Sequence, residues 1–149
     1  MEILAPITGR VVPLKEVPDE VFSEGMAGEG AAILPSEGGE VVAPISGELA
    51  KLFQGGHAFG IVTDGGMELI VHLGLDTIEL QGKGFDKLAV EGDRVEAGQP
   101  IVRFDLPAVR STGYNPVTPV VVANADEFRV SDSRSGQVTA GDVMFEVES

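Results

Sequence analysis

Twenty glycines and nine prolines punctuate this 149-residue chain, and those breaks constrain the fold more than any single motif. Both residues weaken helix interiors and suit tight turns, glycine by tolerating positive φ and proline by presetting φ. Between the breaks lie short apolar runs: Gly9 to Leu14, Ala31 to Leu34, Glu40 to Ala43, Glu48 to Phe53, Ala58 to Thr63, Met67 to Leu73, Pro100 to Phe104, Val117 to Ala123 and Val143 to Val147. Turn signals such as Glu37-Gly38-Gly39 and Asp64-Gly65-Gly66 separate them. Only Val17 to Phe22 and the stretch from Leu106 to Tyr114 read as helices, both short. With 43% hydrophobic residues and no low-complexity segment, the chain is long enough to bury a core without staples. The expected fold is all-β: an antiparallel β sandwich or barrel-like domain spanning residues 1–149, with at most short helices.

Two internal echoes sharpen that expectation. Ala5-Pro6-Ile7-Thr8-Gly9 returns as Ala43-Pro44-Ile45-Ser46-Gly47, and Val95-Glu96-Ala97-Gly98 returns as Val138-Thr139-Ala140-Gly141. Two copies are too few for a solenoid, so they imply a pseudo-symmetric sandwich of similar halves.

Charge and composition remove whole classes of function. A net charge of −14 repels polyphosphate and anionic lipid, which argues against nucleic acid and membrane surfaces. No cysteine is present, so thiolate zinc sites, iron–sulfur clusters and cysteine catalysis are excluded. No apolar run approaches the ~18 residues of a membrane span, and Met1 to Arg10 lacks a basic lead into an apolar stretch. A cytoplasmic protein without membrane insertion is expected. Gly25-Met26-Ala27-Gly28-Glu29-Gly30 is glycine-rich but lacks the lysine and hydroxyl of a phosphate-cradling loop.

The candidate chemistry rests on the only two histidines, His57 and His72, fifteen residues apart across the turn signal Asp64-Gly65-Gly66. A two-residue turn at Asp64-Gly65 sets His57 directly opposite His72 on one sheet face, with Phe59, Ile61 and Ile70 beside them. A three-residue loop shifts the register by one and sends the two rings to opposite faces. Both registers fit the sequence. On an apolar face the imidazoles stay neutral, and a neutral ring keeps a lone pair that is nucleophilic towards phosphorus.

The segment Gly66-Met67-Glu68-Leu69-Ile70-Val71-His72-Leu73-Gly74-Leu75-Asp76-Thr77-Ile78 resembles the phosphohistidine signature of the glucose-type IIA components of the bacterial phosphoenolpyruvate:sugar phosphotransferase system. The similarity extends through Ala43 to Gly47, Phe53 with Gly56 to Phe59, Gly84-Phe85, Glu91 to Val95, Phe104 to Pro107 and Thr118 to Val121. It implies a phosphotransferase component, a phosphoryl carrier without cofactor or metal. In that role His72 accepts phosphate from phospho-HPr through Nε2, and a IIB domain of a sugar permease takes it on. His57 is expected to contact the phosphoryl group, Asp76 to engage the basic surface of the donor, Gly74 to support the site, and Phe53 and Ile70 to form an apolar rim. Regulatory protein targets are expected to meet the same face. Some relatives carry a hydroxyl residue where this chain has Gly55, so a hydrogen bond fixing the His57 tautomer is expected from elsewhere, such as a backbone carbonyl. The chain begins close to its first matching block, so a tethering N-terminal tail is expected to be absent or reduced.

Two rivals fail on residues. A lysostaphin-like zinc peptidase needs more histidines than two. A biotinyl or lipoyl carrier, which the Ala-Pro-x-x-Gly pattern resembles, needs a lysine at a hairpin tip with methionine or acidic neighbours; Lys15, Lys51, Lys83 and Lys87 lack that setting.

Overall fold

The computed structural model describes residues Met1–Ser149. In chain order the elements are β1 (Glu2–Leu4), β2 (Gly9–Pro13), α1 (Glu20–Ser23), β3 (Glu29–Pro35), β4 (Gly39–Val42), β5 (Gly47–Leu52), β6 (Ala58–Val62), β7 (Glu68–His72), β8 (Phe85–Lys87), β9 (Arg94–Val95), β10 (Pro100–Phe104), α2 (Leu106–Ser111), β11 (Thr118–Val122), β12 (Arg129–Val130), β13 (Gly136–Val138) and β14 (Val143–Glu148). An eight-stranded sheet runs β13-β2-β3-β11-β7-β6-β5-β9, and two three-stranded sheets run β1-β14-β12 and β4-β10-β8. Every pairing is antiparallel. The large sheet is open at β13 and β9, so the fold is a β sandwich and not a closed barrel.

The strand order reads the same from both ends once the two halves are matched. Strands β4 to β10 are contiguous and repeat the arrangement of β1, β2, β3, β11, β12, β13 and β14 one for one. The sequence echoes are the joints of this symmetry. Ala5 exchanges backbone hydrogen bonds with Asp142 and Gly141 at 2.7 and 2.9 Å, and Ala43 does the same with Gln99 and Gly98 at 2.8 Å each. The Thr8 hydroxyl accepts from the Ala140 N–H at 3.0 Å, and the Ser46 hydroxyl accepts from the Ala97 N–H at 2.8 Å. Across the axis the Leu4 N–H donates to Pro44 and the Val42 N–H to Pro6, both at 2.9 Å. The repeats therefore recur because each half needs the same turn chemistry to close its sheet.

The large sheet buries both faces, unequally. One face packs on the small sheets through a cluster of 31 buried side chains, including Phe59, Ile61, Leu69, Val71, Val120 and Val122. The other is covered only by seven, among them Val17 and Phe22 from the β2–β3 connection, with Val12, Ala32, Leu75, Val117 and Val121. This double burial explains why β11 ends in three consecutive valines: Val120 and Val122 serve the larger cluster and Val121 the smaller. Each fully buried aliphatic or aromatic side chain stabilises by roughly 1.5–3 kcal/mol. The thinner layer is thus held by few anchors, and it is the layer beside the histidines. There Asp19 caps α1, its carboxylate accepting from the Val21 N–H at 2.9 Å, and α1 sets Phe22 inward.

Candidate functional site

The β6–β7 hairpin takes the three-residue register. Thr63 pairs with Met67 through a 3.0 Å hydrogen bond, and Ala58, not His57, lies opposite His72. Gly66 adopts φ +91°, the left-handed position that follows a type I turn in such loops. The expectation that this register separates the imidazoles is overturned, as is the two-residue turn itself. His57 precedes β6 and sits in the β5–β6 connection, where Gly56 at φ +81° reverses the chain. Strand alternation does not govern a residue outside the strand. The His57 carbonyl still accepts from the Leu73 N–H at 2.7 Å, and the two ring centroids lie 5.6 Å apart at 67°.

The apolar surroundings also differ from those expected. Phe59 and Ile61 alternate into the main core, 0% and 1% exposed, and face away from the rings. Ile70 does share the His72 side of β7 and packs against the thinner layer. The remaining walls are aromatic: Phe22 meets His72 edge-on at 5.8 Å, and Phe53 meets His57 edge-on at 5.2 Å. Four rings therefore follow one another across the face, in the order Phe22, His72, His57, Phe53. Phe53 and Ile78 remain 37% and 59% exposed and border a cleft of about 560 Å³ that His57, Gln54 and Gln81 also line.

The two imidazoles are held differently. His72 Nδ1 lies 2.5 Å from the Gly74 carbonyl oxygen, which can only accept, so Nδ1 carries the proton and Nε2 keeps its lone pair. Gly74 has φ +89°, and a Cβ there would lie 2.7 Å from the Thr77 methyl and 3.0 Å from the Asn115 carbonyl, so the position takes glycine alone. His57 is only 4% exposed and its ring makes no hydrogen bond within the protein. The backbone carbonyl expected for it is not there; beside its Nδ1 is Gly55, whose missing Cβ would sit 3.3 Å away.

Burial pushes His57 below the ordinary imidazole range, and the neighbouring His72 pushes it the same way. Burial also lowers His72, opposed by the Gly74 hydrogen bond and by the carboxylates of Asp19 and Asp76. Asp76 is exposed at φ 60° and opens the 3-10 turn Thr77–Leu80, on the His72 side of the site. Asp19 and Phe22 were not foreseen. The Asp-Glu-Val-Phe sequence at 19–22 signals a capped turn, but only the tertiary fold brings it to His72. Nowhere do three or more histidine or carboxylate side chains converge as a metal site.

A β sandwich with two neighbouring neutral imidazoles on an open, acid-flanked apolar face is the class that fold and site define. The comparisons with known proteins name the family. Residues 1–128 match the phosphoenolpyruvate-dependent sugar phosphotransferase system, EIIA 1 family, and the chain belongs to it. The chain is 42% identical over 142 residues to the PTS system glucose-specific EIIA component of Haemophilus influenzae, covering 95% of this chain and 85% of that protein. Among solved structures it is similar to the glucose permease IIA of Mycoplasma capricolum, with a TM-score of 0.92 and 38% identity over 97% of this chain and 94% of the other. It is accordingly a phosphotransferase-system component, a phosphoryl carrier in sugar uptake. No helix is long and apolar enough to cross a membrane.

Proposed function

We propose that His72 is the phosphoryl-accepting residue, taking phosphate from phospho-HPr and yielding it to a cysteine on a IIB domain, in the cytoplasm. The observation that carries this reading is the Nδ1 contact with the Gly74 carbonyl, which leaves Nε2 as the free nucleophile. In the forward step the Nε2 lone pair attacks phosphorus, the phosphorus–nitrogen bond of the donor histidine breaks, and its electron pair returns to the donor ring. Transfer onward repeats the exchange with a thiolate as the attacking group.

The transition state of phosphoryl transfer is loose, so catalysis rests on in-line positioning and charge neutralisation. The charges that bear on His72 are the carboxylates of Asp19 and Asp76, and the chain's own cation on this face, Lys51, lies over the outer Phe53 ring at 5.5 Å and forms no bond with either imidazole. The cation comes from the partner, and those two carboxylates attract it. His57 contacts the phosphoryl oxygens, while Phe53, Ile70 and Ile78 dry the contact when a partner docks. Glucose is the sugar named for the relatives, and this carrier serves the same or a similar permease without touching sugar itself.

Intact mass after incubation with phosphoenolpyruvate, enzyme I and HPr tests the assignment. One acid-labile phosphoryl group is expected on wild type and on His57→Ala, and none on His72→Ala. An unlabelled wild type beside verified phospho-HPr, or a labelled His72→Ala, overturns it.

A further inference from the structure

The carbonyl that sets the His72 tautomer is itself set by its neighbours. Gly74 stands between two pinned peptide groups. On its C-terminal side the Leu75 N–H donates to the Asn115 carbonyl at 2.8 Å, which turns the Gly74 carbonyl of the same planar peptide the opposite way, towards His72. On its N-terminal side the Leu73 carbonyl accepts from the Thr77 hydroxyl at 2.8 Å. Thr77 is 1% exposed, and its methyl occupies the space that a Cβ on Gly74 would need.

We propose that Thr77 is a positioning residue for His72: its buried hydroxyl holds the Leu73 carbonyl and thereby aims the Gly74 carbonyl at Nδ1. The Thr77 hydroxyl makes no hydrogen bond to either ring and acts through the backbone of 73–74. Its consequence for transfer rests on His72 being the acceptor, but its effect on the tautomer does not.

Apart from the His72 ring itself, the Thr77 hydroxyl is the only side-chain group that bonds within the 72–75 turn, the other holding contacts there being backbone to backbone. Its substitution can thus loosen the carbonyl without altering the histidines or straining the backbone at Gly74. A hydroxyl in an isolated turn is often decorative, bonding to its own loop in solvent. This one is buried, reaches back four residues, and is packed against the glycine that it steers.

The test uses ¹⁵N shifts of the ring nitrogens in the full chain at about pH 8, above the ordinary imidazole range. Wild type and Thr77→Ser are expected to hold the Nδ1–H tautomer of His72, and Thr77→Val, which keeps the shape and drops the hydroxyl, to show a mixture of both. Acceptance from phospho-HPr should fall roughly ten-fold in Thr77→Val through misplacement of the nucleophile and return in Thr77→Ser. A folded Thr77→Val with an unchanged tautomer overturns the proposal, and so does a Thr77→Ser that loses it, since the methyl would then be the determinant. The serine variant keeps the test decisive if valine prevents folding. A tautomer shift in a chain whose wild type accepts no phosphate would overturn the acceptor assignment and leave the positioning role standing.

Discussion

His72 and His57 lie 5.6 Å apart and are held in opposite ways. His72 ends a strand, is partly buried, and has one nitrogen fixed by a carbonyl. His57 sits in a loop, is almost wholly buried, and has packing alone to orient it. The difference suits the division of labour proposed for them. A nucleophile needs one committed lone pair, whereas a ring that attends a moving phosphoryl group gains from being able to present either nitrogen as donor.

The largest expected effect separates the two at once. His72→Gln should abolish phosphoryl acceptance, and His57→Gln should leave acceptance but slow transfer to a IIB domain by about 10²–10⁴-fold, the usual worth of a proton-handling side chain. Rapid-quench transfer from HPr and to IIB measures both, and equal loss of acceptance in both variants breaks the comparison. Gly74→Ala should make His72 resemble His57 by displacing its carbonyl. Strain at positive φ together with the contacts to Thr77 and Asn115 should cost about 2–3 kcal/mol in urea unfolding.

A subtler comparison comes from pH. Both folded-state values lie below that of the unfolded chain, so the unfolded chain binds more protons in the interval between them. Stability is therefore full above about pH 7 and declines as pH falls through the ordinary imidazole value of about 6.5 towards the folded values. Unfolding curves across this range should flatten when either histidine is replaced. Asp19→Asn should lower the His72 titration further while leaving that of His57 in place, followed by ring proton shifts. The smallest change is Gly55→Ser, which supplies a hydroxyl beside His57 Nδ1 for less than about 1 kcal/mol of stability, the neighbouring Gly82 backbone having to yield slightly. It should fix the His57 tautomer, read from ring ¹⁵N shifts.

What could be read from the sequence follows from where information is local. Pro100 to Phe104 is bounded by its own turn chemistry and emerges as β10 over those residues. Strands of two or three residues, such as β9 and β12, contain no period to read. Asp64-Gly65-Gly66 suits both a two-residue turn and a three-residue loop, and the register follows from which glycine takes positive φ. The site residues Gly74, Asp76, Phe53 and Ile70 came with the His72 and His57 segments. Asp19, Phe22 and Asn115 reach the same place from distant parts of the chain, and no spacing rule connects them.

The matching of strand orders has an outcome for where the site could arise. One seven-stranded unit is nested inside a split unit of the same arrangement; the ends of the inner one, Gly39 and Phe104, are paired opposite each other, and the outer strands on either side of it, β3 and β11, stay paired, so the inner unit enters through their connection without opening the sheet. Both histidines, Gly74 and Asp76 lie in the inner copy; Asp19, Phe22 and Asn115 belong to the outer. The connection that carries His57 in the inner copy is five residues, 53–57, while its outer counterpart has grown to fifteen, 14–28, and folds over the rings. The inner unit thus carries both imidazoles, and the outer one furnishes their cover.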